Sequence, residues 1–465
     1  MPHRDTAVLV VTSNRGRRSV LALSSGCDGV PMGSDLFARP ESWRVLPGER
    51  LFAFLKPLLK LRPWRSLPEK GRRSLASKIF RALAPRPTDA PPGHPITVVG
   101  FLSANSGIGE GARLTAESLS LIGRDVRLVD VSNLFAAARP LPTGTRERWL
   151  ERGPGTILLH FNPQRLSLFL ALIGAAHLAG KRVIGYWAWE LSRIPQSWID
   201  SLCYVDEVWV PSTFVAAAVR PFTTKPIRVV PHPVATTPPG VANKQAFGIS
   251  NNQFTALCMF SFSSCADRKN PFAAVQAFRR AFDNADNARL ILKLSDAHLF
   301  PASAARLRRE IEGATNIEIR EANLDRQSVR NLIASVDVVL SLHRSEGFGL
   351  VMAEAMHAGT AVIATQWSGN MDFMDTESAL LVSAGMVPAI DSDGFYAQSD
   401  QLWAAPDIED AVARLHFAAA NPAALRAIAQ RGKLRVESEL GLQSFRSAVD
   451  RALTPEKTDS ETPTV

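Results

Sequence analysis

The sequence is short of the features that mark disulfide-rich, zinc-binding and membrane-spanning proteins. Its four cysteines, Cys27, Cys203, Cys258 and Cys265, form no CxxC pair, so neither a disulfide scaffold nor a zinc knuckle is expected. The longest apolar run, at 166–176, is shorter than the roughly 18 residues that a membrane-spanning helix needs, and no secretory signal opens the chain. Esterase and P-loop motifs are also missing. We therefore expect a cytoplasmic protein with reduced thiols.

The positive charge is confined to the N-terminal part of the chain. Residues 1–95 contain 17 Lys and Arg against 7 Asp and Glu, a net charge of +10, which leaves −1 for the rest of a chain whose total is +9. A general nucleic-acid-binding role is therefore not expected. Residues 51–61 are apolar apart from Lys56 and Lys60, and Pro57 interrupts them. They predict either peripheral contact with the anionic inner face of a membrane or a poorly ordered extension.

Two series of alternating strands and helices follow from residue 96. Continuous apolar runs bounded by turn residues are typical of buried parallel strands, and helical stretches separate them. The pattern predicts an α/β protein with two doubly wound domains that face each other across a cleft. The expected organisation is a basic, partly disordered extension at 1–94, a first Rossmann-like domain at 95–234, a second at 245–435, a helix at 436–452 that returns to the first domain, and a disordered tail at 453–465.

The most specific pattern is the string SEGFGLVMAEAM at 345–356, where a strand turns into a helix. Gly347 and Gly349 let a ligand approach the backbone closely, and Leu350 begins a helix whose free N–H groups favour an anion such as a diphosphate. Glu346 lies at the mouth of the turn, and Glu354 lies just over one turn into the helix that Leu350 begins. Two carboxylates without basic neighbours suit sugar hydroxyl groups better than phosphate. The alternative is a glycine-containing turn with two solvent-facing glutamates.

This string resembles the E-x7-E signature of glycosyltransferase family 4, whose members are retaining enzymes of the GT-B fold. The resemblance extends over about residues 96–452. It implies that Glu346 contacts the donor sugar and that Glu354 contacts the nucleotide ribose. The donor-binding residues that it places between these two glutamates are Gly347, Phe348, Gly349 and Leu350.

A second candidate feature is the adjacent pair Arg268 and Lys269, which lies between a predicted strand and a helix. Two cations at the carboxyl end of a strand can neutralise a diphosphate leaving group without a metal. They resemble the Arg/Lys phosphate pair of family 4, although many relatives space the two residues apart. A solvated pair of loop charges is the alternative. Lys293, within a strand, is a further candidate for the same anion.

The first predicted domain has its own glycine-rich turn, NSGIGEG at 105–111. Gly107 and Gly109 resemble the family's turn at the domain cleft, near the donor phosphates and the acceptor, although the spacing alone also fits a dinucleotide site. Arg113, on the following helix, is a further candidate.

The segment YWAWE ends a strand where many family members carry a histidine that faces the donor sugar, and this sequence lacks that histidine. We expect Glu190 to supply a polar contact there. Trp187 and Trp189 either stack on a sugar or pack in the core. His160 and Asn162 end the preceding strand and are expected to enter the cleft, unless His160 is only structural.

Together these features predict a metal-independent glycosyltransferase. The resemblance implies retaining transfer of a hexose-type sugar from a nucleotide diphosphate donor to a glycan or lipid-linked acceptor, in surface polysaccharide or lipid-linked glycan assembly and with no further cofactor. The alternatives are a catalytically silent nucleotide-sugar scaffold or sensor and a GT-B sugar epimerase. Deletion of residues 1–95 is expected to spare sugar transfer.

Overall fold

A computed structural model describes residues 8–12, 18–22, 69–132, 150–285, 287–396 and 400–454. The apolar segment 51–61 and the predicted disordered tail from residue 455 onward lie outside the described residues. The first elements are an antiparallel pair of strands, β1 (Val8–Thr12) and β2 (Arg18–Ala22), and the helix α1 (Glu69–Leu83).

Helix α1 packs on the body of the protein, although its sequence shows only weak periodicity. Phe80 packs against the core of the first α/β half. The Tyr204 hydroxyl donates to the Arg81 carbonyl oxygen at 2.7 Å, and the Arg81 guanidinium pairs with Asp200 at 2.6 Å. The end of the basic extension is thus attached to the fold.

The first large sheet has six parallel strands in the order β4-β3-β5-β6-β7-β8. Its central strands are fully buried because they are the continuous apolar runs of the sequence. The strand order changes direction beside β3, so the crevice beyond the carboxyl ends of β3 and β5 is a switch point where ligands bind in such sheets. The strands are β3 (Ile96–Gly100), β4 (Val126–Asp130), β5 (Gly155–His160), β6 (Lys181–Tyr186), β7 (Glu207–Val210) and β8 (Ile227–Val229). The helices are α2 (Gly107–Leu121), α3 (Leu166–Ile173), α4 (Ala175–Leu178), α5 (Gln196–Ile199) and α6 (Thr213–Val219).

The second large sheet also has six parallel strands, in the order β11-β10-β9-β12-β13-β14. Its switch point lies between β9 and β12, the two strands that precede the Arg/Lys pair and the E-x7-E string. The strands are β9 (Phe254–Ser261), β10 (Ala288–Ser295), β11 (Ile317–Arg320), β12 (Val338–Ser341), β13 (Ala361–Thr365) and β14 (Leu380–Val382). The helices are α7 (Ala266–Lys269), α8 (Pro271–Phe282), α9 (Pro301–Glu310), α10 (Arg326–Ala334) and α11 (Leu350–Ala358).

An antiparallel pair of strands that the sequence did not predict follows the second sheet. It consists of β15 (Ala384–Pro388) and β16 (Leu402–Pro406), and we call residues 384–406 the hairpin. Ala389, Tyr396 and Trp403 of the hairpin are buried in the core of the first half, so the hairpin bridges the two halves.

Three helices complete the described chain: α12 (Ile408–Ala420), α13 (Pro422–Glu439) and α14 (Leu442–Leu453). Phe445 and Val449 of α14 are buried with Ile96 and Val98 of the first sheet, so the chain crosses back to the half in which the sheets began. Within the described part of the chain, no helix combines the length and apolar character needed to span a membrane.

Candidate active site

The turn at 345–350, here called the signature turn, connects β12 to α11 and touches the first half of the molecule. Gly349 has φ +103°, and a Cβ atom there would lie 2.4 Å from Met352 Cε, so this position accepts only glycine. The Gly347 carbonyl oxygen accepts a hydrogen bond from Ser212 Oγ at 2.6 Å, and a Cβ atom on Gly347 would be 3.0 Å from the Trp189 carbonyl oxygen. The turn thus lies at the contact between the two halves.

Glu346 is buried and paired with both predicted cations. One carboxylate oxygen, Oε1, lies 2.5 Å from Lys269 Nζ, and the other, Oε2, lies 3.2 Å from an Arg268 guanidinium nitrogen. Burial alone would raise the pKa of Glu346, but the attraction of Lys269 and Arg268 outweighs it and lowers the pKa to about 2. The sequence pattern had indicated carboxylates without basic neighbours, and the structure corrects that point: strand order brings the pair to Glu346 across 77 residues of chain.

The local sequence explains why Arg268 and Lys269 face this crevice. They lie in the single turn of α7, and Asn270 then adopts a left-handed conformation that ends it. The Asn270 side chain accepts from Ala273 N and donates to the Leu342 carbonyl oxygen, and Pro271 begins α8. The Arg268 side chain is buried and donates to the Ser345 carbonyl oxygen at 2.8 Å, which ties it to the signature turn.

His343 is a site residue that the sequence analysis missed. It is fully buried two residues beyond β12 and three residues before Glu346. Burial lowers the pKa of His343 to about 4, so the ring is neutral at pH 7. The signal that could have identified His343 in the sequence is its position at the carboxyl end of a switch-point strand.

Glu354 lies on α11 beside a group of charged residues from both halves. Burial, and next the repulsion of Glu110, raise the pKa of Glu354 to about 7, against the attraction of Arg330 and Arg326. Glu110, on α2, is paired with Arg326 Nε at 2.5 Å and with Arg113 at 2.8 Å. Arg113, the further candidate of the first half, thus holds Glu110.

The glycine-rich turn of the first half meets the signature turn. Ser106 caps α2 by accepting from Gly109 N at 3.2 Å, and a Cβ atom on Gly107 would be 3.8 Å from Leu350 Cδ1. The N-termini of α2 and α11 therefore meet in one crevice, where their free N–H groups favour an anion. Lys293 is buried on β10, and its Nζ donates to the Leu294 carbonyl oxygen at 3.3 Å.

Glu190, from the first half, lies against the Arg268 side chain. Its Oε1 is 3.8 Å from an Arg268 guanidinium nitrogen, and its Oε2 accepts from the Tyr396 hydroxyl of the hairpin at 3.1 Å. Burial raises the pKa of Glu190, while the attraction of Arg268 opposes this effect. Glu190 therefore belongs to the same charged cluster as Glu346.

The other candidates of the first half are buried behind this cluster. Trp187 has no exposed surface, and the Trp189 ring packs on Trp198 and Tyr396. In this structure both rings therefore pack in the core, which was the alternative to stacking on a sugar. Asn162 Oδ1 accepts from Ala188 N at 3.0 Å and braces the segment that carries Glu190.

His160 is also buried, and its ring stacks on the Tyr186 ring with 4.1 Å between centroids. Burial, followed by the proximity of His232, places the pKa of His160 well below its ordinary value. The ring therefore carries no charge at pH 7 and packs beneath the crevice in this structure.

Among the described residues, no group of three or more His, Cys, Asp or Glu side chains is arranged so that it could hold a metal ion. The string Asp391-Ser392-Asp393 has D-x-D spacing, but both carboxylates accept hydrogen bonds from other protein groups. Asp391 accepts from the backbone N–H groups of Phe395 and Tyr396, and Asp393 accepts from the Ser303 hydroxyl.

Comparison with protein families finds one match for part of the chain. Residues 214–434 match the model described as "Family 4 Glycosyltransferase in conflict systems". The predicted resemblance to family 4 is confirmed. The matched range includes the family 4 signature turn, the Arg268/Lys269 pair and Glu354. No curated protein matches the sequence.

Solved structures confirm the GT-B fold. A glycosyltransferase from Rickettsia africae is 14% identical with a TM-score of 0.54 and covers 78% of this chain and 98% of its own. HepE from Anabaena, in complex with UDP and glucose, is 12% identical with a TM-score of 0.53 and covers 77% and 98%. TarM from S. aureus is 11% identical with a TM-score of 0.48. The match covers 65% of this chain and only 55% of the TarM chain.

Proposed function

We propose that this protein is a retaining glycosyltransferase that transfers a hexose-type sugar from a nucleotide diphosphate donor to an acceptor hydroxyl group. The main support for this proposal is the cluster of Glu346, Arg268 and Lys269 at the switch point of the second sheet. The N-termini of α2 and α11 border the same crevice. Cations and amide dipoles for a diphosphate thus lie beside a carboxylate for a sugar.

The chemistry of the proposal follows from the ion pairs. A bound diphosphate attracts Lys269 and Arg268, and this frees Glu346 oxygens to accept hydrogen bonds from sugar hydroxyl groups. The bond between the anomeric carbon and the diphosphate oxygen breaks as the acceptor oxygen attacks from the same face. The acceptor proton passes to the departing oxygen, and the cations stabilise the charge that develops there. Glu354 binds the ribose.

The first experiment identifies the donor. Thermal unfolding is followed with UDP-, GDP- and ADP-linked sugars and with each free diphosphate, because a ligand that binds only the folded state raises the melting temperature. We expect one base to raise it, and we expect slow release of free sugar from the matching sugar nucleotide.

Site variants then test where the reaction occurs. Glu346→Ala and the double variant Arg268→Ala/Lys269→Ala should reduce turnover by a factor of 100 or more, which corresponds to about 3 kcal/mol. The matched control is Arg280→Ala/Glu409→Ala, which removes an exposed ion pair of the second half. Full turnover in the site variants would refute the proposed site.

The alternatives give different outcomes in the same assay. A silent nucleotide-sugar scaffold or sensor binds the sugar nucleotide but releases no sugar and makes no product. A sugar epimerase returns an altered sugar while consuming no acceptor. Transfer of the sugar to an added acceptor with retained anomeric configuration supports the proposal against both.

The acceptor distinguishes two versions of the function. Surface polysaccharide or lipid-linked glycan assembly predicts that labelled sugar enters a lipid or glycan fraction. The words "in conflict systems" in the matched family description favour a second version, in which the acceptor is a macromolecule modified in a conflict between organisms. Labelled sugar in protein or nucleic acid would favour this second version.

We propose that the protein acts in the cytoplasm and contacts the inner membrane peripherally through residues 51–61. Lys56 and Lys60 in this segment would attract anionic lipid. Co-sedimentation with phosphatidylglycerol vesicles tests this part. Equal binding to phosphatidylcholine vesicles, or full binding by a Lys56→Glu/Lys60→Glu variant, would contradict it.

A further inference from the structure

The hairpin brings a tyrosine from the second half of the chain to the carboxylate that stands in for the missing histidine. The Tyr396 hydroxyl donates to Glu190 Oε2 at 3.1 Å, across 206 residues of sequence. Glu190 Oε1 faces Arg268, which also contacts Glu346. The carboxylate is therefore held between a hairpin residue and the charged cluster of the donor site.

The hairpin is fixed on both sides, so Tyr396 has a defined position. Toward the second half, Asp267 accepts from the Ser392 backbone N–H at 2.8 Å and hydroxyl at 2.6 Å. Toward the first half, Gln401 accepts from Arg193 N at 2.9 Å. The Tyr396 ring is buried against Trp189 with 5.6 Å between centroids.

Burial and the neighbouring charges shift the pKa of Glu190. The groups that act on it are Arg268, Glu346, Tyr396 and Lys269. Burial raises the pKa of Glu190, Glu346 raises it further, and Arg268, the Tyr396 hydrogen bond and Lys269 lower it. Loss of the Tyr396 hydroxyl therefore raises the pKa of Glu190.

We propose that Glu190 receives hydroxyl groups of the transferred sugar and that Tyr396 is the positioning residue that holds Glu190 in place, so that the hairpin completes the sugar subsite of the donor. This inference rests on the proposed function, which supplies the sugar nucleotide. Glu190 takes the place of the family's missing histidine, and the hydroxyl group of Tyr396 fixes its orientation.

The test uses Tyr396→Phe, which keeps the ring and removes the hydroxyl. Using the sugar nucleotide that gives turnover, we expect kcat/KM to fall about tenfold, the size of one lost hydrogen bond to a charged group. The affinity for the free nucleoside diphosphate should stay unchanged, because Arg268 keeps its contacts with Glu346 and the Ser345 carbonyl oxygen in this variant. The acid limb of the kcat/KM profile should move to higher pH.

Two controls separate positioning from general stability. Tyr204→Phe removes a tyrosine hydroxyl that donates to the Arg81 carbonyl oxygen, outside the proposed site, and should leave all three quantities unchanged. In Glu190→Gln, the addition of Tyr396→Phe should cause little further loss, because Tyr396 acts through Glu190. Additive losses, a static acid limb, or equal loss of diphosphate affinity would show that Tyr396 only supports the hairpin and would overturn the inference.

The outcomes also separate this inference from the proposed function. If no sugar nucleotide is turned over or bound by the unmodified protein, the proposed function fails. If the unmodified protein is active, Glu346→Ala is inactive and Tyr396→Phe behaves like the unmodified protein, only the role of Tyr396 and Glu190 fails.

Discussion

Glu354 carries its carboxyl group in surroundings that disfavour its charge. The folded-state pKa of about 7 lies above the ordinary value of 4.5, so the neutral group stabilises the fold fully below about pH 4.5. That stabilisation is lost as the pH rises through 7. Ionisation of Glu354, which the proposed ribose contact requires, therefore costs stability.

Replacement of Glu354 should make the protein more stable at alkaline pH. Glu354→Gln removes the charge. At pH 8 its free energy of unfolding should exceed that of the unmodified protein by an amount on the order of 2 kcal/mol, with a higher melting temperature. Near pH 4.5 the two proteins should be equally stable. Thermal unfolding across this range measures the difference. Glu409→Gln, an exposed glutamate, is the control, and a difference independent of pH would contradict the assigned cause.

Arg268 and Lys269 are adjacent, but they differ in how much of the site depends on them. Arg268 is 3% exposed and contacts both Glu346 and Glu190, whereas the Lys269 side chain is 21% exposed and contacts Glu346. Loss of Arg268 leaves two buried carboxylates close together with one cation. Loss of Lys269 leaves Glu346 paired with Arg268.

We predict that Arg268→Met lowers the free energy of unfolding by roughly 3–5 kcal/mol and that Lys269→Met lowers it by about 1 kcal/mol. Urea unfolding at pH 7 measures both. Addition of Glu190→Gln to Arg268→Met should recover part of the loss, because one uncompensated charge is then removed. Equal effects of the two single variants would show that burial of Arg268 is not the deciding factor.

At the scale of elements, the two switch-point turns were accessible to sequence analysis and the hairpin was not. Apolar runs and glycine positions mark β9, β12 and the signature turn, since local backbone needs decide those residues. The hairpin has no such mark. Trp403 and Tyr396 are buried only because they reach the core of the other half.

Helix α1 gives a prediction at the same scale. A chain that starts at residue 69 keeps the contacts of Phe80 and Arg81 with the first half, and a chain that starts at residue 85 loses them. We expect the shorter chain to unfold at a lower temperature, because it loses an aromatic contact and hydrogen bonds. Its free energy of unfolding should be lower by about 2–4 kcal/mol. Equal melting temperatures would mean that α1 contributes nothing to the fold.

At the scale of the whole molecule, Arg326 of α10 links the two halves on the side of the crevice near Glu354. It contacts Glu110 at 2.5 Å and Glu117 at 2.7 Å, both on α2. Its side chain is 31% exposed, so these ion pairs are partly screened by solvent and salt. They favour the arrangement in which the two helix N-termini meet.

Arg326→Ala should therefore shift the ligand-free protein toward a more open arrangement. The two ion pairs together contribute on the order of 1 kcal/mol, enough to change the population several-fold. Small-angle X-ray scattering should show a larger radius of gyration, and high salt should have the same effect on the unmodified protein. Arg289→Ala, which removes an ion pair with Glu318 within the second half, should change nothing. An unchanged radius in Arg326→Ala would leave the hairpin as the main link.

The sequence by itself determined the order of strands and helices in the two large sheets and the residues that need a special backbone, such as Gly349, because these follow from local sterics and from apolar runs. It also pointed to Glu346, Glu354, Arg268 and Lys269 one by one. Only the tertiary structure decided which of them meet. The pairing of Glu346 with Lys269, of Glu190 with Tyr396 and of Arg326 with Glu110 joins residues 77, 206 and 216 positions apart, and such contacts depend on sheet order and on how the two halves face each other.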